Sequence, residues 1–331
     1  MDSKVATKAP TIVPTIDLLE AESSPGELKK IDLACRNHGF FLLKHHGMDR
    51  EIKDMWQYSG DFFALDSTRK NEVLRSESNP LGFYNRELTK RKRDLKEVFD
   101  YMLPRSESGD INQWPRDVEG FKDVMVEFFN ASSRVAERTL ALVYKALAQE
   151  QTDLESLSMG DARSSTVRLN YYPLVDPLSK EERDDVVDLG DMALHHHTDP
   201  GVLTLLLQDM VGGLQALSRE DGWVDVAPEE GTIVVNLGDA MQVWTNDKYR
   251  SAVHRVLPIQ GQARFSTPYF FNPSRNAILE PLKGLLGSKE NPLYQSFTWK
   301  EYIQGRIDDN YTDLGEDDIQ IEQYKLEAEP P

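Results

Sequence analysis

The sequence holds one cysteine, Cys35, in 331 residues, so no intrachain disulfide can form. That suits a reducing compartment, and a cytoplasmic location is expected. No apolar run approaches the roughly 20 residues of a membrane span, so no membrane partner is expected. The N-terminus lacks a basic-then-apolar signal segment, which argues against secretion. Positive charge is scarce: 38 Lys and Arg stand against 56 Asp and Glu, a net charge of -18. That balance argues against nucleic acid or an anionic membrane as the main partner. Internal repeats and low-complexity linkers are also missing.

What is present is a soluble, core-forming composition, 39% hydrophobic and 28% charged. The length fits one large or two ordinary domains. Cys35 lies in an apolar helix pattern and reads as a core residue rather than a nucleophile. Acid is concentrated from Ile307 to Pro331, which reads as a solvated tail. Ile319, Ile321, Tyr324 and Leu326 would let part of it fold back over the body as a short helix.

The N-terminal third reads as helical. Ser24-Pro25 can cap and start a helix that Gly39 ends, with Leu28, Ile31, Ala34 and Cys35 as its apolar stripe. Val13 to Leu18 reads as a short edge strand and Phe40 to Leu43 as a compact apolar one. Further helices are expected over 51–64 and 121–148. From Thr166 the period changes, and strands are expected at 166–172, 202–208, 214–217, 232–236, 254–257 and 264–271. Gly212-Gly213, Asp221-Gly222 and Gly238-Asp239 mark turns between them. Helices first and many short strands later predict an α+β fold, with a jelly-roll core buttressed by the helices.

Within the strand region, His197-Thr198-Asp199 places two metal-ligand types at i and i+2, on one face of an extended chain. His254 follows 57 residues later, far enough to arrive on another strand. Two histidines and one carboxylate form the facial triad that holds Fe(II) and leaves positions open for oxygen and substrate. His195 shares the alternation of His197, and His196 faces the other way. His197 is preferred because only it pairs with Asp199; the other two read as structural or ligand-orienting residues. Ten positions after His254, Arg264 and Ser266 share a strand face. A guanidinium beside a hydroxyl can grip a carboxylate. Arg168, Asn170 and Tyr172 supply a polar set upstream, from which Tyr172 can reach the same anion.

Together these residues resemble the Fe(II)/2-oxoglutarate-dependent dioxygenases, in particular the branch of isopenicillin N synthase and the plant flavonoid and gibberellin oxygenases. The likeness runs from Val13-Pro14-Thr15-Ile16-Asp17-Leu18 through His38-Gly39-Phe40-Phe41, His46-Gly47 and Gly82-Phe83-Tyr84. Its specific part is C-terminal: Asn170-Tyr171-Tyr172-Pro173, His197-Thr198-Asp199, Gly213-Leu214-Gln215, Asn236-Leu237-Gly238-Asp239, His254-Arg255-Val256 and Arg264-Phe265-Ser266. The resemblance implies a distorted double-stranded β-helix with iron at its mouth. It implies His197, Asp199 and His254 as catalytic metal ligands. It implies Arg264 and Ser266, with Tyr172 and Asn170, as the 2-oxoglutarate site. Cofactors so implied are Fe(II), 2-oxoglutarate and O2, with ascorbate as a stimulant. The implied reaction consumes 2-oxoglutarate, releases succinate and carbon dioxide, and oxidises a substrate C–H bond by hydroxylation, desaturation or cyclisation. Asp199 argues against halogenation, because halogenating relatives generally lack that carboxylate.

The expected regions are 1–160, mainly helical; 161–306, the jelly roll; and 307–331, the acidic tail. The expected partner is a small specialised metabolite, anionic or amino-acid-derived, acted on by a monomer. Where plant members continue with Cys-Pro, this chain reads Leu174-Val175-Asp176-Pro177 and then a charged stretch, 179–191. That departs from a flavonoid or hormone substrate and places the stretch at the pocket rim. Candidate substrate contacts are Phe270, Asn272, Tyr84, Phe83, Arg91 and Arg93, with Leu237 weaker. The run Lys90-Arg91-Lys92-Arg93 reads as a solvated loop, and the sharper expectation is that one or more of its charges steers an anionic substrate to the iron. An oxidase that does not consume 2-oxoglutarate is opposed by the complete Tyr172, Arg264, Ser266 set. A non-catalytic scaffold is opposed by the intact triad.

Overall fold

The computed structural model describes residues 13–76, 78–89, 92–105, 109–148, 160–258, 260–311 and 320–327. The chain enters through β1 (Thr15–Asp17), α1 (Leu18–Ala21), α2 (Pro25–Asn37) and β2 (Phe40–Lys44). The Ser24 hydroxyl caps α2 by accepting from the Glu27 N–H, with Pro25 in the first turn. Gly39 ends the helix in the left-handed region (φ 67°); a Cβ there would stand 2.8 Å from the Arg250 carbonyl oxygen. Helices α3 (Asp49–Phe63) and α4 (Ser67–Asn71) follow. Four short strands come next: β3 (Gly82–Tyr84), β4 (Leu88–Thr89), β5 (Lys92–Arg93) and β6 (Glu97–Met102). The long helix α5 (Phe121–Ala148) has the bounds its apolar spacing predicts.

The second half carries β7 (Thr166–Tyr172), α6 (Lys180–Arg183), β8 (Leu194–His197), β9 (Leu203–Gln208), β10 (Leu214–Ser218) and β11 (Gly222–Asp225). Then come β12 (Thr232–Leu237), α7 (Asp239–Trp244), β13 (His254–Val256), β14 (Arg264–Phe271), β15 (Ile278–Leu279), β16 (Phe297–Thr298) and α8 (Trp299–Tyr311). An eight-stranded sheet in the order β1-β2-β12-β9-β14-β7-β6-β3 faces a four-stranded sheet, β11-β10-β13-β8. Strands from both sides of residue 160 therefore share the large sheet.

Period-two alternation sorts the large sheet into two faces. Phe41, Phe99, Leu169, Leu205, Val235 and Tyr269 point to the helical side and join one core with α2, α3 and α5. Phe40, Tyr172, Leu206 and Val234 point the other way and meet Leu214, Ala216 and Val256 of the small sheet in a second core. The helices thus close one face and the small sheet the other, as expected of a jelly roll. No helix of the described residues is long and apolar enough to cross a membrane.

The acid-rich end and the charged stretch 179–191 both make contacts with the body. The acid-rich end is not simply a solvated tail. Helix α8 runs on to Tyr311, and Ile321 is buried while the Tyr324 ring stacks on Phe297 at 3.9 Å. Lys325 adds an ion pair to Asp247 at 2.7 Å. Ile319 lies outside the described residues. The stretch 179–191 starts as a capped turn of helix, α6. It then passes alongside β5, where the Arg93 N–H donates to Asp188 O and the Gly190 N–H to Arg93 O.

Candidate active site

His197 is the last residue of β8 and pairs directly with His254 of β13. Asp199 follows as the strand ends and turns under the large sheet. Antiparallel pairing brings the two rings to 4.3 Å between centroids. The Asp199 Oδ1 lies 3.9 Å from His197 Nε2 and 3.8 Å from His254 Nε2. One donor atom from each residue falls within 4.8 Å of the other two, a spacing that can hold a metal ion.

The surroundings fix which atoms are free. His197 Nδ1 donates to His195 O at 2.8 Å, and His254 Nδ1 to Ala252 O at 2.9 Å. A carbonyl can only accept, so each ring carries its proton on Nδ1 and turns an Nε2 lone pair toward Asp199. Burial, then the neighbouring His254, push the His197 pKa down to about 3, so its ring is neutral at ordinary pH. Burial alone would raise the Asp199 carboxyl, but the neighbouring imidazoles and two hydrogen-bond donors together outweigh it, and its pKa lies below the usual aspartate value. Those donors are Thr204 and Asn236, which reach Oδ2 at 2.5 and 2.7 Å and leave Oδ1 for the ion. His197 keeps 24% of its side-chain surface, so its ring is not sealed off by the protein.

Beside this group, Arg264 and Ser266 emerge from β14 on the same face. Arg264 is fully buried. Its Nε donates to Gly212 O at 2.8 Å and its Nη1 to Ser266 Oγ at 3.1 Å. Its Nη2 has no partner among the described residues. A buried guanidinium nitrogen left without an acceptor is costly, and a carboxylate ligand would complete it. Tyr172 lies opposite Arg264 in β7, with its ring 5.0 Å from the guanidinium carbon. Asn170 lies opposite Ser266 and reaches its hydroxyl at 3.4 Å. The residues present therefore fit both an iron ion and the distal carboxylate of 2-oxoglutarate.

The substrate candidates separate. Phe270 shares the strand face of Arg264 and Ser266 and pairs with Thr204, the residue that holds Asp199. Tyr84 stacks under Arg75 at 3.9 Å. Asn272 is buried, and its Nδ2 donates to Ser164 O, which ties it to the strand end. Phe83 and Leu237 sit in the core on the helical side, away from the triad face. Arg93 is buried and held by both oxygens of Asp176, so it is not a free steering charge. Lys92 is exposed, and Arg91 and Lys90 lie outside the described residues. His195 points to Asp191 at 3.1 Å and Asp94 at 3.7 Å rather than joining the triad, and His196 is exposed.

Sequence reasoning missed a buried charge network on the β6–β7 part of the wall. Arg168 grips Asp100 with Nε and Nη2 at 2.7 and 2.8 Å, and its Nη1 donates to Glu87 at 2.8 Å. Glu87 also meets Arg75 at 2.7 Å and Lys96 at 3.0 Å, and Lys96 meets Asp94 at 3.0 Å. Burial would raise the Glu87 carboxyl, but the three cations hold it well below the usual range. Arg168 lies two residues before Asn170 on the same face and keeps 22% of its side-chain surface.

Comparison with known proteins follows the same lines. The 2OG-Fe(II) oxygenase superfamily matches over residues 163–273. A family described as the non-haem dioxygenase in morphine synthesis N-terminal matches residues 13–117. The chain is 31% identical over 310 residues to gibberellin 2-beta-dioxygenase 4 of Arabidopsis thaliana, covering 91% of this chain and 94% of that one. It is 29% identical over 306 residues to gibberellin 3-beta-dioxygenase 1 of Pisum sativum, covering 91% and 78% respectively. Among solved structures, full-length Neurospora crassa T7H in complex with alpha-KG and thymine superposes with a TM-score of 0.76 at 26% identity. That match covers 91% of this chain and 97% of the other.

Proposed function

The chain belongs to the 2OG-Fe(II) oxygenase superfamily, and from that premise we propose that it oxidises a C–H bond of a small polar metabolite at the His197, Asp199 and His254 centre. It is a dioxygenase with Fe(II) and 2-oxoglutarate as cofactors and a small-molecule substrate. The observation that carries the site assignment is the orphaned Nη2 of Arg264, buried beside the triad with Ser266 already in place.

When bound, iron and 2-oxoglutarate supply the oxidising power for C–H cleavage, with succinate and carbon dioxide as co-products. The protein's own residues do the rest by placement. His197 and His254 present Nε2, and Asp199 presents Oδ1, so the three approach an ion from one side. Thr204 and Asn236 hold the carboxylate still. Arg264 and Ser266 grip the distal end of the cosubstrate, and Tyr172 closes over the guanidinium. Phe270, on the same strand face as Arg264 and Ser266 and opposite Thr204, is placed to pack on the substrate.

The charge network beside β7 supports one substrate class. Arg75, Lys96 and Arg168 face Glu87, Asp94 and Asp100 there, three cations against three carboxylates, and each must stay hydrogen-bonded. An apolar molecule against the open edge of Arg168 would strip water and return nothing. A compound with a carboxylate or paired polar groups replaces that water. This supports an anionic or amino-acid-derived substrate over a hydrocarbon skeleton. The complete Arg264, Ser266, Tyr172 set supports consumption of 2-oxoglutarate rather than a 2-oxoglutarate-independent oxidase.

The test is succinate release by the Fe(II)-loaded protein under oxygen, over a panel split between polar carboxylates and apolar ring systems. Polar members are expected to stimulate release, and Arg168→Leu to abolish the preference. Stimulation confined to apolar members would overturn the substrate class.

A further inference from the structure

Asp199 comes after β8 has ended, so no sheet ladder fixes its position relative to His197. That position depends on the backbone of Thr198, the residue between the two. The carbonyl and hydroxyl oxygens of Thr198 are both claimed from the C-terminal part of the fold. Arg306 Nη2 donates to Thr198 O at 2.7 Å. Thr198 Oγ1 donates to Asp239 Oδ2 at 3.2 Å, and Tyr302 OH donates to the same oxygen at 2.6 Å. Asp239 closes the loop, its N–H donating to Asp199 O at 2.8 Å. Tyr302 and Asp239 are fully buried. The fit is close: a Cβ on Gly238 would lie 2.8 Å from Asp199 O and 2.3 Å from Gly201 O.

We propose that Tyr302 and Arg306 of α8 are positioning residues for the iron centre, setting the His197–Asp199 geometry through Thr198 and Asp239. The proposal rests on the reading of His197 and Asp199 as metal ligands. The physical reason is the absence of a ladder at Thr198. A carbonyl there without a donor is free to rotate with the peptide plane, and the peptide plane carries Asp199 with it. A guanidinium donor gives a short, charge-assisted bond that stops this rotation. Partners of ligands, rather than ligands themselves, commonly change metal affinity by roughly 10–100-fold when removed.

The experiment is an anaerobic Fe(II) titration of the full chain with 2-oxoglutarate present, followed by visible charge-transfer absorption, with apo-protein thermal unfolding alongside. Arg306→Met and Tyr302→Phe are each expected to weaken Fe(II) binding by about 10-fold or more. Arg306→Lys is expected to recover part of the loss. Tyr302→Phe removes one hydroxyl and keeps the ring, so it carries the test if Arg306→Met does not fold. Wild-type Fe(II) affinity in the folded variants would overturn the clamp while leaving the ligand reading intact. A wild-type chain that binds no Fe(II) would overturn the ligand reading itself, and the clamp with it.

Discussion

Replacing Arg264 by Met should separate the apo protein from the loaded one. Without cosubstrate, the guanidinium is fully buried and its Nη2 has no partner among the described residues. Removing it loses the bonds to Gly212 O and Ser266 Oγ, about 1 kcal/mol each, and offsets part of that by relieving a buried charge left partly unmet. The apo variant should therefore unfold within about 1 kcal/mol of wild type. Binding is different. Charge-assisted bonds to the distal carboxylate are worth ~1.5–3 kcal/mol each, so losing two raises the dissociation constant by a factor of ~100 or more. At a concentration 100 times its dissociation constant, 2-oxoglutarate stabilises wild type by about 2.7 kcal/mol. The same concentration would stabilise the variant by only about 0.4 kcal/mol. The assay is thermal unfolding under anaerobic Fe(II), with and without 2-oxoglutarate. Equal stabilisation of both proteins would refute the assignment of Arg264.

Other predictions are simpler. Phe83→Ala empties a site packed against Phe62 in the helical-side core. It should cost ~3–5 kcal/mol in urea unfolding, while the substrate KM of the surviving folded protein stays unchanged; a raised KM would put Phe83 back in the pocket. Burial would raise the Asp110 carboxyl, but Lys122, Trp114 and Asn112 hold it at about 2, below the ordinary 3.8. A depressed carboxyl stabilises the fold above its unfolded value and loses that contribution as pH falls through the folded one. Asp110→Asn should therefore flatten the decline in stability between about pH 4 and pH 2, and an unchanged slope in acid titrations would contradict this.

Much of this architecture was legible in the sequence, for identifiable reasons. Helix α5 has a long apolar stripe at helical spacing, β7 alternates from Thr166 to Asn170, and β9 is a short apolar run. The Arg264–Ser266 pair was legible because strand geometry puts i and i+2 on one face, and the triad because its residue types are metal ligands, though Asp199 lies past the end of β8. Strand β6 was not. Its Glu97 and Asp100 are both buried, one paired with Lys70 and the other with Arg168, so charge falls on both faces and hides the period of two. Arg93 misled for a related reason: a charge run reads as exposed, but its partner Asp176 lies 83 residues away. The role of α8 was hidden because its link to the site runs through polar bonds from Tyr302 and Arg306 rather than through an apolar stripe.

The central claim is that His197, Asp199 and His254 form an iron centre that consumes 2-oxoglutarate. The most direct measurement loads wild type, Asp199→Ala and His254→Ala with Fe(II) anaerobically. It then follows succinate after admission of oxygen, with 2-oxoglutarate and the substrate panel present. Wild type is predicted to release succinate in step with substrate oxidation, and both variants none above the protein-free background. Succinate released at the wild-type rate by either variant would contradict the account.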